Sequence, residues 1–253
     1  MNMFTKVLGP LAIAAAVAVL PIGASASSLK VSGSTTVASA IMLPMEGQIE
    51  GDTGVALEVT ANGSSRGIDD LINGRSQLAM ISAPLEVTVA KIEKKSPGSL
   101  DGTDLQGHMV GETRVAFVVH PSNPVQSLTL VQVADVLSGS VTNWSQLGGP
   151  DMPIVIVAET LGGGLRTLVE SELTDGESIA GTVREFPNAT QVPQVASQFP
   201  PALGLAPFKA AGASGAKILE TDQAIRQPLI LVTNGTVSEE MQAVIDATRK
   251  AGS

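Results

Sequence analysis

Short apolar, β-branched runs alternate with runs of helical period along almost the whole chain. That alternation restricts the fold more than any other feature of the sequence. Leu29–Val31, Val55–Thr60, Leu78–Ile81, Arg114–His120, Pro153–Val157, Leu203–Ala206 and Leu229–Thr233 read as strands. Between them, helical runs are expected from after Thr36 toward Ile49, then over Arg66–Ile72, Val87–Lys95, Thr129–Leu137, Leu165–Leu173, Val192–Phe199 and Ser238–Lys250. Thr129 and Gln132 have capping-box spacing, and Gly139 follows as a terminator. The last helix carries acids in its first turn and Arg249-Lys250 in its last, matching the helix dipole. Strands that alternate with helices predict an α/β fold with a mainly parallel sheet covered on both faces. No single linker divides the chain, which suits two lobes joined by a hinge that the chain crosses twice.

The chain has 253 residues and begins with the pattern of a secretory signal. Lys6 precedes the apolar stretch Val7–Ile22, and Ala24-Ser25-Ala26 has the form of a cleavage site. Pro10, Pro21 and Gly23 interrupt the stretch and no basic flank follows, so a cleaved signal peptide over residues 1–26 is favoured over a membrane anchor. The expected location is the periplasm. There is no cysteine, which excludes disulfides and a lipid anchor on cysteine. The formal net charge of −9 and the lack of a basic stripe exclude nucleic acid as a partner. Five Phe, one Trp and no Tyr weigh against sugar or nucleobase ligands that stack on aromatic faces. A ligand held by amides, hydroxyls and charge fits better. His108 and His120 lie in different elements with no cysteine or paired acid nearby, so neither a metal centre nor a nucleophilic triad is expected, and the chain does not read as an enzyme. No cofactor is expected.

Three loops have the chemistry of anion sites. Gly162-Gly163-Gly164 links a strand to a helix, an arrangement that aims backbone N–H groups and a helix N-terminus at one point. It lacks the lysine of a nucleotide-binding loop. Ser34, Thr35 and Thr36 stand where the first strand turns into a helix, as oxyanion ligands or as plain N-caps. Ser64 and Ser65 sit in a similar loop ahead of the second helix, and Arg66 follows as a charge for the cleft or as a solvated surface arginine. Trp144 reads as packing.

Four segments together resemble the phosphate-binding subunits of bacterial phosphate importers, the PstS-like periplasmic binding proteins. They are Val31-Ser32-Gly33-Ser34-Thr35-Thr36-Val37, then Ala61-Asn62-Gly63-Ser64-Ser65-Arg66-Gly67-Ile68 with Ile81-Ser82-Ala83-Pro84-Leu85 after it, then Val118-Val119-His120-Pro121-Ser122-Asn123-Pro124-Val125, and last the Gly162–Gly164 turn. The resemblance implies a type-2 periplasmic binding fold. Lobe one would comprise 27–113 and 228–253, and lobe two 114–227. The strands Arg114–His120 and Leu229–Thr233 would make the hinge crossings. It implies a monomeric binding protein for phosphate or a related oxyanion, partnered by an ABC permease or by a membrane receptor. The ligand set it implies is Ser34, Thr35, Thr36, Ser64, Ser65, Arg66, Ser82, Glu159, Gly163, Gly164 and Arg166. Ser82 stands where some members carry a carboxylate that accepts the ligand's proton.

The Gly-rich turn departs from the family. Phosphate binders carry an arginine ahead of Gly-Ser-Gly-Thr, often with an arginine after it. Here Glu159 replaces the first arginine, Gly163 the serine and Leu165 the threonine, while Gly162, Gly164 and Arg166 keep the pattern. Arg66 and Arg166 can restore the missing charge, with Glu159 accepting a proton from the oxyanion. Glu159 can instead pair with a cationic or hydroxyl group of a different ligand, or point away from the cleft. A second reading therefore stands beside the first, a PstS-like sensor or interaction protein whose altered cleft does not bind phosphate.

Overall fold

A computed structural model describes residues 28–252, so the signal-peptide expectation over 1–26 lies outside the described residues. Along the chain the elements are β1 (Ser28–Gly33), α1 (Thr35–Val37), which runs through a π turn (Ala38–Met42) into α2 (Leu43–Thr53), β2 (Ala56–Ala61), α3 (Ser64–Ile72), β3 (Leu78–Ile81), α4 (Leu85–Lys95) and the long β4 (Leu105–Val119). There follow β5 (Ser127–Leu128), α5 (Leu130–Leu137), β6 (Val155–Glu159), α6 (Gly164–Leu173), β7 (Val183–Phe186), α7 (Val192–Ala196) and β8 (Ala202–Pro207). The chain closes with α8 (Phe208–Gly212), β9 (Lys217–Ile218), β10 (Glu220–Thr221), β11 (Arg226–Asn234) and α9 (Glu239–Ala251).

The main sheet has the order β2-β1-β3-β11-β4-β8-β6-β7, with β9 also paired to β4. The pairs β1/β2, β1/β3, β6/β7 and β6/β8 are parallel, and the strands that join the halves, β11 and β4, are antiparallel to their neighbours. β4 serves both halves. Its residues from Leu105 to Arg114 pair with β11, and Val115–Val119 pair with β8. Val115 N–H donates to the Ile225 carbonyl at 3.0 Å, beside the point where the returning chain enters β11. The molecule is thus an α/β type-2 binding fold of two lobes crossed twice by the chain.

The alternation of side chains along each strand builds one apolar layer on each face of each half-sheet. Leu78 and Met80 of β3 join Val31, Ile41, Ile49, Leu229 and Ile245 beneath α2 and α9, whereas Ala79 and Ile81 face Ile68 and Leu71 of α3. In the other half, Val115, Phe117 and Val119 pack with α5 and α6 around a fully buried Trp144, and Ala116 and Val118 meet α7. Trp144 is core, as its sequence context predicts.

The capping box of α5 forms as the sequence predicts, with Gln132 N–H donating to Thr129 Oγ1 at 3.1 Å. β4 begins nine residues before the expected Arg114, because its first half is half-exposed and interrupted by Gly107 and Gly111. Ser64 and Ser65 are the first turn of α3 and not a loop ahead of it.

Candidate functional site

Ser34, Ser64 and Ser82 each follow the C-terminal end of a parallel strand, β1, β2 and β3 respectively. In open α/β sheets that edge is where ligands bind. The backbone holds the three close together. Gly33 adopts φ +133°, and a Cβ there would lie 2.2 Å from the Met80 carbonyl oxygen. A Cβ on Gly67 of α3 would lie 2.6 Å from Gly33 Cα and from the Ser32 carbonyl oxygen, so α3 presses against the end of β1. Ser34 N–H donates to the Met80 carbonyl at 2.8 Å, and the Gly33 carbonyl accepts from Asn62 and Gly63.

Ser34 Oγ donates to Ser82 Oγ at 2.9 Å and accepts from Val37 N–H at 3.3 Å. It is therefore an N-cap and a member of the hydroxyl cluster at once. Ser64 is 1 % exposed, and its Oγ is buried with no hydrogen-bond partner. A buried hydroxyl without a partner carries a desolvation cost of about 1–3 kcal/mol. Thr35 and Thr36 are buried in the turn after Ser34.

Lobe two meets this cluster through the Gly-rich turn. Gly162 takes φ +86°, its carbonyl accepts from Ser65 N–H at 3.1 Å, and Gly164 opens α6 directly against the serines. A Cβ on Gly164 would lie 2.3 Å from both Ser64 Oγ and Ser82 Oγ. The lobes are in contact across the turn, and α6 points its N-terminus at the strand ends of lobe one.

The space a side chain would take at Gly163 is filled by the carboxyl group of Glu159. A Cβ there would lie 2.2–2.5 Å from the Glu159 carboxyl atoms. Glu159 is 3 % exposed, and its Oε1 accepts from Arg166 N–H at 3.0 Å. Burial pushes its carboxyl up to about 7, against the opposing pull of backbone N–H groups of Arg166, Leu165 and Ala189 and of the Arg166 charge. The chain's own carboxylate thus caps the helix end that a Gly-rich anion loop would offer to a ligand.

Arg166 does not face the serine cluster. It is 3 % exposed, with Nε on Glu170 Oε1 at 2.9 Å and Nη1 on Glu185 Oε1 at 2.5 Å and on the Glu159 carbonyl at 3.3 Å. Helical i,i+4 geometry turns it toward Glu170 and away from the cleft. Arg66 is exposed and lines a crevice outside the serine cluster, next to Ser65. The expectation that these two arginines restore the cleft's missing charge is not met in this arrangement. Nor does Glu159 turn to the surface. Ser34, Ser64, Ser82 and Gly164 converge, Thr35, Thr36, Ser65 and Gly163 border them, and Glu159 sits behind the turn. Sequence reasoning passed over Glu170, the buried acid that joins the lobes. Its Oε2 accepts from Lys91 Nζ of lobe one at 2.8 Å. The Arg166/Glu170 spacing was the available signal.

The raised Glu159 carboxyl has a consequence for stability. The folded state holds a proton that the unfolded chain releases near 4.5, so stability is lost as pH rises from about 4.5 through 7. The shift corresponds to about 3 kcal/mol. Urea denaturation at pH 5 and pH 8 should show that loss in the wild type, and the Glu159→Gln variant should lack most of it. Equal slopes in the two proteins would contradict a buried, titrating Glu159.

Comparison with known proteins agrees with this architecture. The model of the PBP superfamily domain matches residues 21–249. The phosphate-binding protein PstS of Bacillus subtilis is 25% identical over 185 residues, covering 73% of this chain and 58% of that protein. The PstS of Borreliella burgdorferi is 30% identical over 128 residues, covering 50% of this chain and 41% of its own. The chain spans only part of the length of these curated relatives. Among solved structures, a Clostridium perfringens protein described as a phosphate ABC transporter substrate-binding protein, solved with bound phosphate, superposes with a TM-score of 0.72 at 25% identity, over 87% of this chain and 92% of that one. An ABC-type phosphate transport receptor from Vibrio cholerae shares the fold, with a TM-score of 0.63 at 22% identity over 88% and 93% of the two chains. By its fold, its strand-end serines and these matches, the chain belongs to the periplasmic binding protein superfamily as a PstS-like type-2 member.

Proposed function

We propose that the protein is a periplasmic solute-binding protein that takes phosphate or a related oxyanion between its lobes and delivers it to an ABC importer. The observation that carries this is Ser64 Oγ, buried without a partner beside the Ser34–Ser82 pair. A tetrahedral oxyanion supplies the acceptor that this hydroxyl lacks. The relatives' names, which are those of phosphate-binding proteins, support the ligand class. Binding rather than catalysis is supported by the family, whose named relatives are binding proteins, and by the two histidines, which bond Thr233 and Ser122 and not the serine cluster. Among the described residues no helix is long and apolar enough to cross a membrane. The hinge would lie at Arg114/Val115 and near Ile225, between lobe one (27–113 and 228–253) and lobe two (114–227).

Calorimetry on a refolded, phosphate-free sample should show saturable binding of phosphate. A ligand at a thousandfold excess over its Kd stabilises the bound state by about 4 kcal/mol, a rise in Tm on the order of 10 °C. No heat and no Tm change at millimolar phosphate would overturn the reading. Because Glu159 already engages the amides at the start of α6, the hydroxyls of lobe one carry most of the recognition. At pH 8, where the Glu159 carboxyl is ionised, removing its negative charge with Glu159→Gln should tighten phosphate binding by about tenfold or more, a gain of at least about 1.4 kcal/mol. Arginine is the less suitable replacement, since the Glu159 side chain is enclosed against Gly163.

Glu159 is also the observation that favours the second reading, a sensor or interaction protein that keeps the fold and does not bind phosphate. Recovery of a receptor ectodomain without permease, together with absent phosphate binding, would select it.

A further inference from the structure

A crevice of about 550 Å³ opens between the lobes, outside the serine cluster and separated from it by Ser65 and Gly162. Its floor is aliphatic, with Ile72 of α3, Ile92 of α4, Leu100 and, from lobe two, Leu161, a bulky side chain left 52% exposed. Its rim is cationic. Arg66, Lys91, Lys94 and Lys95 all line it, on a chain whose formal net charge is −9. Lys91 and Lys94 are paired with Glu170 and Glu177 of lobe two. Among the described residues Arg66 and Lys95 have no ion pair. The one acid in the lining, Asp69, is itself paired with Arg75. Two cations without an ion pair, Arg66 and Lys95, beside an apolar floor at a junction of two lobes are a recognition arrangement for an amphipathic anion.

We propose that this crevice binds a small organic anion, one with a carboxylate or phosphonate head held by Arg66 and Lys95 and a short aliphatic body laid on Ile72, Ile92, Leu100 and Leu161. Inorganic phosphate has no apolar body and gains nothing from that floor. An occupant touches both lobes, since Leu161, Gly162 and Ser178 come from lobe two and the remaining contacts from α3, α4 and the loop that follows α4. It therefore stabilises the closed arrangement and, by linkage, the site between the serines. Which anion the serine cluster takes does not enter into the choice of occupant for the crevice.

The test is calorimetric titration of the full chain with octanoate, octylphosphonate, octyltrimethylammonium and inorganic phosphate, each alone. Both octyl anions should bind at one saturable site, and the cation of the same body should not. The double variant Arg66→Glu/Lys95→Glu should lose at least about tenfold in octanoate affinity, and Leu161→Ser about as much, a change of about 1.4 kcal/mol each. Leu161→Ser should leave inorganic phosphate binding unchanged, which separates this site from the serine cluster. All three positions are at the surface of the crevice, so the variants fold. Absence of saturable octanoate binding at millimolar concentration, equal binding of the cation, or binding indifferent to these substitutions would overturn the proposal.

Discussion

Replacing Gly164 with alanine should leave both lobes folded and prevent them from closing. The added Cβ would lie 2.3 Å from Ser64 Oγ and from Ser82 Oγ and 3.0 Å from the Ser82 backbone nitrogen. Hydroxyls can rotate away, but the Ser82 backbone cannot, and Ser34 already holds the Ser82 hydroxyl in place. Overpacking of this kind costs about 1–3 kcal/mol. Because the collision lies between lobes, the chain relieves it by opening rather than by unfolding. The backbone itself raises no objection, since Gly164 stands in the first turn of α6 without a positive φ. The expected outcome is a loss of at least about a hundredfold in oxyanion affinity, equivalent to about 2.7 kcal/mol, with the ligand-free Tm nearly unchanged. Small-angle scattering should show no contraction on addition of phosphate. Wild-type affinity with normal contraction would show that α6 does not seat on the serines.

The second large effect is expected at Glu170. Its side chain is 2 % exposed, and its carboxylate accepts from Arg166 Nε at 2.9 Å, from Ile179 N–H at 3.2 Å and from Lys91 Nζ at 2.8 Å. Alanine there leaves the buried Arg166 guanidinium with Glu185, whose side chain is 42% exposed, and one carbonyl. Breaking a buried pair by removing one partner costs about 3–5 kcal/mol. Chemical denaturation should register that loss. The contrasting variant is Glu177→Ala. Its pair with Lys94 is exposed on both sides, so its removal should leave stability essentially unchanged. Lys91→Ala separates the two roles of Glu170. It removes the link between lobes and spares the Arg166 contact, so it should weaken ligand binding more than it lowers the denaturation midpoint. Similar denaturation curves for Glu170→Ala and Glu177→Ala would contradict the buried network.

Much of this arrangement is legible in the sequence because it is local. The strand–glycine turn–helix at 155–173 and the serines after β1, β2 and β3 follow from periodicity and from the residues that stop each strand. Ser64 comes beside the Ser34–Ser82 pair only through the sheet order β2-β1-β3, which no local signal encodes. The direction of Glu159 was hidden for a related reason. Its carboxyl turns inward because Gly163 has no side chain in the way, a fact about two residues in space. Arg166 has its partner in plain view four residues on, yet the family pattern points it toward the ligand instead. Glu185 could not be found, since it lies on β7, a short half-exposed strand whose pairing with β6 has no local mark.

The sheet order also sets which pairings are open to the chain before its C-terminal segment is present. β11 is among the last elements in the chain, yet it lies between β3 and β4 in the interior of the sheet. Until residues beyond Arg226 are present, β3 and the first half of β4 expose unsatisfied edges toward each other. Lobe two can assemble earlier, because β6, β7, β8 and the second half of β4 all precede that point. A chain emerging from its N-terminus can therefore complete its middle before its beginning, and the opening strands lack their inner neighbour until the C-terminal segment arrives.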